Sequence, residues 1–495
     1  MPELERALPP DAPPQPSLQG TIYAAIGTAF TAVTLHGSEP SYIARYAALC
    51  MAVSLGISVA FDLRRGLRNL QRADLFAILS YYFLTLFEFL FPQPRFDSML
   101  RPEMAEDGVR ICLVGFAGLL IGRHLLRPKR QPFQATLTHK IPAGWLIVIF
   151  WMCCGIGYLN MLLAVNFNVA EMIRYFMAPR FSQPWSREKL GDWKALLYEL
   201  SMFIQLIPPL AGIMLARAQR YPKWHLLLMV GALGLTLFYG FSSGTRNVFA
   251  GFLVTFLIGY SLAVPSYRTK DLLYLGGVCA VVMCAATFFM LQFRDVGLKN
   301  YLGAAHVPPP DAGEKRTLYV DYNLFTISKL AEAFPRTHPF LGFEIPFQAL
   351  IRPIPRALWS GKPQGLSMTI EDVMEVEGLT ISASFAGEAY MSGGIAAVFV
   401  IGLALGTFMG WWSSLGSPRN SEFGHLVYAS GFVAAVISMR SLFVFTTALI
   451  PTAFAIVAGG LVVRVLLAQT RRLLARGHRP MQRPPRPPAR PLRRA

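Results

Sequence analysis

Apolar runs of membrane-crossing length recur along nearly the whole chain, and no other feature restricts the fold as much. Most are near 18–22 residues long, the length an α-helix needs to cross a ~30 Å hydrocarbon layer, and some are shorter. Such runs lie near residues 20–36, 42–61, 73–92, 108–122, 143–165, 197–216, 224–241, 247–264, 272–293, 390–412, 425–439 and 444–466. Composition agrees, with 54% hydrophobic and only 15% charged residues and a mean hydropathy of +0.42. A soluble domain carries about 25% charge. The expectation is an all-α polytopic membrane protein with about twelve transmembrane helices. One long polar interval, residues 294–389, separates spans nine and ten.

Charge placement orients these spans. Arg64, Arg65, Arg68 and Arg72 follow span two; Arg123, Arg127, Lys129, Arg130 and Lys140 follow span four; Arg217, Arg220 and Lys223 follow span six; Arg268 and Lys270 follow span eight. The segment after span three instead holds Asp97, Glu103, Glu106 and Asp107. Basic loops stay cytoplasmic, so the pattern places both termini inside and residues 294–389 on the far face. The expected organisation is a cytoplasmic segment (1–18), spans one to nine (19–293), the external loop (294–389), spans ten to twelve (390–467) and a tail (468–495). The N-terminal segment is Pro-rich and acidic without a basic n-region, unlike a cleaved signal peptide.

The net charge of +18 owes nine of its charges to arginines interleaved with prolines after Gln469. Such a tail beside an anionic leaflet gains about 1 kcal/mol per basic residue near the surface, which suits anchoring or partner docking. No aromatic-interleaved basic module points to nucleic acid. The six cysteines, Cys50, Cys112, Cys153, Cys154, Cys279 and Cys284, all fall in apolar runs and read as small core hydrophobes. No His, Cys, Asp or Glu spacing suits a metal.

The external loop carries Arg352-Pro-Ile-Pro-Arg356, then Trp359, Lys362 and Pro363, then Ser384-Phe-Ala-Gly-Glu388-Ala-Tyr390. A loop of this length is normally functional. Further arginines fall at the same depth: Arg246 in the turn Ser242-Ser-Gly-Thr245, Arg294 at the end of span nine, and Arg440 between spans eleven and twelve. The guanidinium fork matches phosphate oxygens bidentately, and a helix start beside Arg246 adds donors to an anion. The alternatives are snorkelling to head groups or pairing with Asp295 and Glu388. Glu388, where the loop re-enters the membrane, suits a general base or a helix cap. Trp359 and Tyr390 suit sugar stacking or interfacial anchoring. His306 and His338 are the histidines of the loop, and His338, before Pro339, reads as a surface residue or a site group. Asp321 and Tyr322 are further polar candidates, and Glu88 inside span three lacks an assigned role, pairing with a bundle arginine being one option.

The order of these motifs resembles that of the oligosaccharide repeat-unit polymerases, the Wzy-type O-antigen polymerases. It comprises a Ser-Gly-Thr-Arg turn between spans, a large loop with Arg356, Trp359, Lys362 and Pro363, then Ser384, Glu388 and Tyr390, and the Gly393-Gly394 span. The resemblance covers residues 190–450. It implies a GT-C-like, metal-independent glycosyltransferase without cofactor, acting on a glycan carried by undecaprenyl pyrophosphate at the bacterial inner membrane, with a chain-length regulator as a further partner. It also implies a pyrophosphate clamp of Arg246, Arg352, Arg356, Arg440 and Arg294, with Lys362, and Glu388 as the base. Sugar contacts would come from Trp359, Tyr390 and His338. An O-antigen ligase-like enzyme, a transporter and a lipid-binding scaffold are the competing classes.

Overall fold

In the computed structural model every regular element is helical, and no strand occurs among the described residues. These are residues 12–126, 137–179, 182–185, 200–264, 269–293, 297–303, 323–354, 356, 358–363, 365–375 and 381–457, with isolated positions 460, 461, 465 and 468. Among them, six helices are long and apolar enough to cross a membrane. They are α2 (Pro40–Arg64), α6 (Ala143–Ala164), α9 (Lys223–Ser242), α10 (Arg246–Ala263), α11 (Thr269–Phe293) and α16 (Ser384–Ser413). The chain is an α-helical membrane protein. Helices α1 (Leu18–Thr34), α3 (Ala73–Thr85), α5 (Pro102–Gly122), α8 (Ile207–Ala216), α17 (Glu422–Ser438) and α18 (Leu442–Ala448) complete the bundle. The apolar course of α18 continues to Val457.

Local chemistry accounts for the places where helices depart from the apolar runs. The run 73–92 is helical only to Thr85 and tightens into a 3-10 turn, Phe87–Leu90, that buries Glu88. The run 197–216 is a 3-10 turn over Ser201–Leu206 before α8, because Pro208 and Pro209 have no N–H to bond back to the preceding turn. Helix α5 begins at Pro102, a residue suited to a first turn, so its acidic first turns extend the apolar core beyond 108.

The interval 294–389 contains α12 (Leu298–Gly303), α13 (Asn323–Ala333), α14 (Glu344–Ile351) and α15 (Ile370–Val373). Helix α13 buries Leu324, Ile327 and Leu330 completely and packs on α5. Its Glu332 accepts from Arg101 (2.8 Å) and Lys329 (3.2 Å). Partial burial pushes the Glu332 carboxyl up, but these two cations outweigh it and hold the group below its ordinary range.

Cross-helix contacts fix the relative directions. Phe76 stacks edge-on against Phe432, Ser80 donates to Val436 O (3.2 Å), and Tyr428 donates to Gln71 O (2.6 Å), so α3 and α17 run parallel. Helices α5 and α16 are also parallel and approach at backbone distance. A Cβ on Gly118 would lie 2.7 Å from Phe399 O, one on Gly406 2.5 Å from Leu119 O, and one on Gly410 2.4 Å from Arg123 O. Small residues are what allow such close approach in a membrane bundle. Helix α10 runs antiparallel to α17, with Gly251 against Val433 at one level and Ala263 O bound through Arg217 to Glu422 at another.

One end of the bundle is tied by a buried ionic group. Arg72 reaches Asp62 (2.7 Å) and Asp74 (3.1 Å), and all three side chains are essentially without solvent contact. Arg123 stands 3.9 Å from Asp74 and donates to Thr21 and Ser58 hydroxyls. Ser413 donates to Asp74 (2.6 Å), and Ser17 N donates to Asp62 (2.7 Å). Two cations and two anions thereby join α1, α2, α3, α5 and α16. Removing one member leaves a buried charge uncompensated, at a cost of about 3–5 kcal/mol. Arg72→Met is therefore expected to lower the melting temperature in detergent sharply. An unchanged transition would show that the group carries little of the fold.

Candidate functional site

The opposite end of the bundle collects most of the polar residues that the sequence singles out. Glu388 lies in the second turn of α16, not at the mouth of a loop, since that helix starts at Ser384. It is 4% exposed, and each of its oxygens has a donor: Ser441 Oγ at 2.6 Å and Leu442 N at 2.6 Å. Ser441 also accepts from Phe443 N (3.2 Å). Glu388 and Ser441 together therefore cap α18. The carboxylate caps a helix other than its own.

Three arginines belong to elements that meet at this end, and one of them, Arg352, acts on Glu388 itself. Arg440 directly precedes Ser441 and is half-buried, and its carbonyl accepts from Ser382 Oγ (3.2 Å). Arg352, at the C-terminus of α14, places its guanidinium carbon 5.8 Å from the Phe443 ring centroid, in cation–π range. Its charge reaches Glu388, as does the like charge of Glu371. Arg246 is the first residue of α10, after a turn in which Gly244 has φ 64°. Given the α10–α17 register, it stands level with Ser438, about half a turn from Arg440.

The remaining candidates lie elsewhere. Lys362 donates to Arg352 O (3.0 Å) and Ile354 O (2.8 Å), and Arg356 donates to Pro363 O (3.1 Å). In this state both cations close the turn after α14 and face backbone carbonyls. Trp359 sits on that turn, 36% exposed. Tyr390 is two residues from Glu388 and so points to the other side of α16, because successive helical residues rotate by ~100°. Its hydroxyl donates to Phe334 O (3.3 Å), and its ring lies 5.9 Å from Phe340. His338 belongs to the same aromatic group, 5.9 Å from the Phe334 ring. Tyr390 and His338, expected beside Glu388, lie apart from it: Tyr390 by the rotation of α16 and His338 by its place beside Phe334. Arg294, Asp295, His306, Asp321 and Tyr322 lie outside the described residues. Among the described residues no group of three His, Cys, Asp or Glu side chains is positioned to hold a metal.

A break in α16 connects the 340–342 segment to the site. Gly393 (φ −172°, ψ 34°) and Gly394 (φ 68°, ψ −155°) leave helical geometry. The break frees Met391 O from its intrahelical partner, and Leu341 N takes it at 2.9 Å. Ser392 Oγ donates to Gly342 O beside it. A Cβ on Gly394 would lie 3.1 Å from Phe340. Ser384 is a further outlier, buried with φ 56° at the start of α16. Ser441, Phe443 and Glu371 were missed from sequence. A serine directly before an apolar run is an N-cap signal, and it would have identified the first of these.

Residues 321–436 match the model of a domain of unknown function (DUF8712). The matched stretch runs from α13 to within α17 and includes Arg352, Arg356, Trp359, Lys362, Glu388 and Tyr390, but neither Arg246 nor Arg440. No curated protein and no solved structure matches the chain.

Left-handed backbone at a residue with a Cβ costs about 1–3 kcal/mol. Gly394→Ala is expected to lower stability by that order and to expose residues 340–342 to hydrogen exchange. Unchanged exchange there would separate the break from loop docking.

Proposed function

We propose that the Glu388 end is the reaction site of a glycosyltransferase that polymerises lipid-linked oligosaccharide repeat units. The observation that carries this reading is a buried carboxylate, Glu388, at the head of α18 with Arg352 acting on it and Arg440 and Arg246 at the same end of the bundle. In the reaction, an acceptor sugar hydroxyl forms a bond to the anomeric carbon of the donor glycan. The bond from that carbon to the lipid pyrophosphate breaks, and the acceptor proton passes to Glu388. The pyrophosphate leaves as an anion, and guanidinium groups fixed before reaction stabilise its developing charge. Arg356 and Lys362 would join the clamp only by releasing their backbone carbonyls, and Arg294 would add to it from the end of span nine. Of the three sugar-contact candidates Trp359 is the exposed one, while Tyr390 and His338 support the wall behind α16.

The full topology belongs to the same reading: twelve spans, both termini cytoplasmic, residues 294–389 periplasmic, and residence in a bacterial inner membrane. The parallel and antiparallel helix directions support it, because they alternate as the charge pattern requires. A glycan on undecaprenyl pyrophosphate is the donor, and a chain-length regulator is the implied partner.

The test uses Glu388→Gln, Arg352→Ala and Arg246→Ala in the native host, with surface polysaccharide resolved by length. General-base loss costs about 10²–10⁴-fold, so Glu388→Gln is expected to leave single repeat units on their final acceptor at normal protein level. The arginine variants are expected to shorten chains. Polymer accumulating on its lipid carrier would indicate a ligase instead, and unaltered chains in all three variants would overturn the proposal.

A further inference from the structure

A lateral cavity of about 90 Å³ lies away from the Glu388 end, lined by Trp145, Val148, Phe203, Leu206, Phe423 and Phe454 among other apolar residues. Its walls are α6, the 3-10 turn Ser201–Leu206, α17 and the continuation of α18. Phe203 and Phe454 meet edge-on at 4.4 Å and shape part of its floor. Trp145 and Val148 are 42% and 49% exposed, so the cavity opens sideways to the surroundings of the bundle.

Position gives this cavity a polar mouth. Leu137 O accepts from Ser421 N (2.9 Å), which brings the start of α6 to the start of α17. Phe423 of the lining follows Glu422, whose one oxygen takes both Arg217 and Arg220. Two guanidinium groups on one carboxylate leave a net positive charge. The Arg220 side chain is 55% exposed, and exposed Lys140 lies five residues before Trp145.

Two buried polar groups beside this cluster lack hydrogen-bond partners in the protein. Tyr221 Oη, on a residue 6% exposed, lies within the fields of Glu422, Arg220 and Arg217. Both ring nitrogens of His425, on a residue 1% exposed, are in the same condition and feel Arg217 and Arg68. Buried polar atoms are normally satisfied; these two adjoin the Glu422–Arg217–Arg220 cluster but do not line the cavity.

We infer that this cavity and its mouth form a binding site for an anionic membrane phospholipid. One acyl chain lies along α6 in the apolar cavity, and the phosphate rests on Arg220 and Lys140. The basic excess selects an anionic head group, and the all-apolar lining selects hydrocarbon. Trp145 sits at the level where an indole favours the interface. The site is independent of glycosyl transfer and lies at the other end of the bundle from Glu388.

The experiment is native mass spectrometry of the full chain released from detergent, with phosphatidylglycerol, phosphatidylcholine and undecaprenyl phosphate offered separately. The expected result is at least fivefold greater retention of phosphatidylglycerol than of phosphatidylcholine. Lys140→Gln with Arg220→Gln, changes confined to exposed charges, is expected to erase that preference, and Val148→Trp to reduce retention by occupying the cavity. Equal retention of the two phospholipids would overturn the inference. So would preferential retention of undecaprenyl phosphate, or a preference that survives both sets of substitutions.

Discussion

The geometry of the molecule depends on the neutral ionic group of Arg72, Asp62, Asp74 and Arg123. Its members come from chain segments more than 300 residues apart once Ser413 is included. None of these charges would be tolerated alone in an apolar interior, because an unpaired buried ion costs several kcal/mol. Together they hold the ends of five helices at one level. Helix α16 then extends from Ser413 toward Glu388, on the order of 35 Å at ~1.5 Å per residue. That is enough to set the two polar groups on opposite sides of a ~30 Å hydrocarbon layer.

Between these ends, backbone proximity replaces side-chain filling. The stripe Gly402, Gly406 and Gly410 on α16 meets Gly115, Gly118 and Gly122 on α5, so the two helices have little room to slide. The same helix abandons regular geometry at Gly393-Gly394, just past Glu388. The contrast is informative: glycines that face a neighbouring backbone leave the helix intact, whereas two consecutive glycines, the second facing Phe340, permit a break. The carbonyl released by that break is the one to which the 340–342 segment binds. Rigidity below and a docking point above thus come from one residue type in two spacings.

How much of this was legible in the sequence follows from the range of each interaction. The apolar runs gave helix positions closely because a membrane helix is specified by its own composition. Helix ends were displaced where a single residue intervened, as at Pro208 and Pro102. Glu388 stood out as a carboxylate beside small residues, and the cap role was considered, but a cap on α18 requires contact across 53 residues, which no local pattern encodes. The sequence alone groups Tyr390 with Glu388, since both flank the re-entry of the loop. Once it is helical, a spacing of two means opposite faces. Arg72 was read only as an inside charge, since its neutralisation by Asp62 and Asp74 depends on how α2 and α3 meet.

Capping and catalysis are compatible at Glu388. A carboxylate offers about four lone-pair sites, and Ser441 Oγ and Leu442 N occupy one on each oxygen. The remaining sites are fixed in direction by those same two bonds, which is what a proton acceptor in an enzyme requires. A buried carboxylate feels the charge of a nearby guanidinium strongly. Arg352 supplies that charge from a segment that is itself docked at the α16 break. If Glu388 is the base of the proposed glycosyl transfer, a movement of the 340–352 segment would shift the Arg352 charge and the surroundings of that carboxylate together.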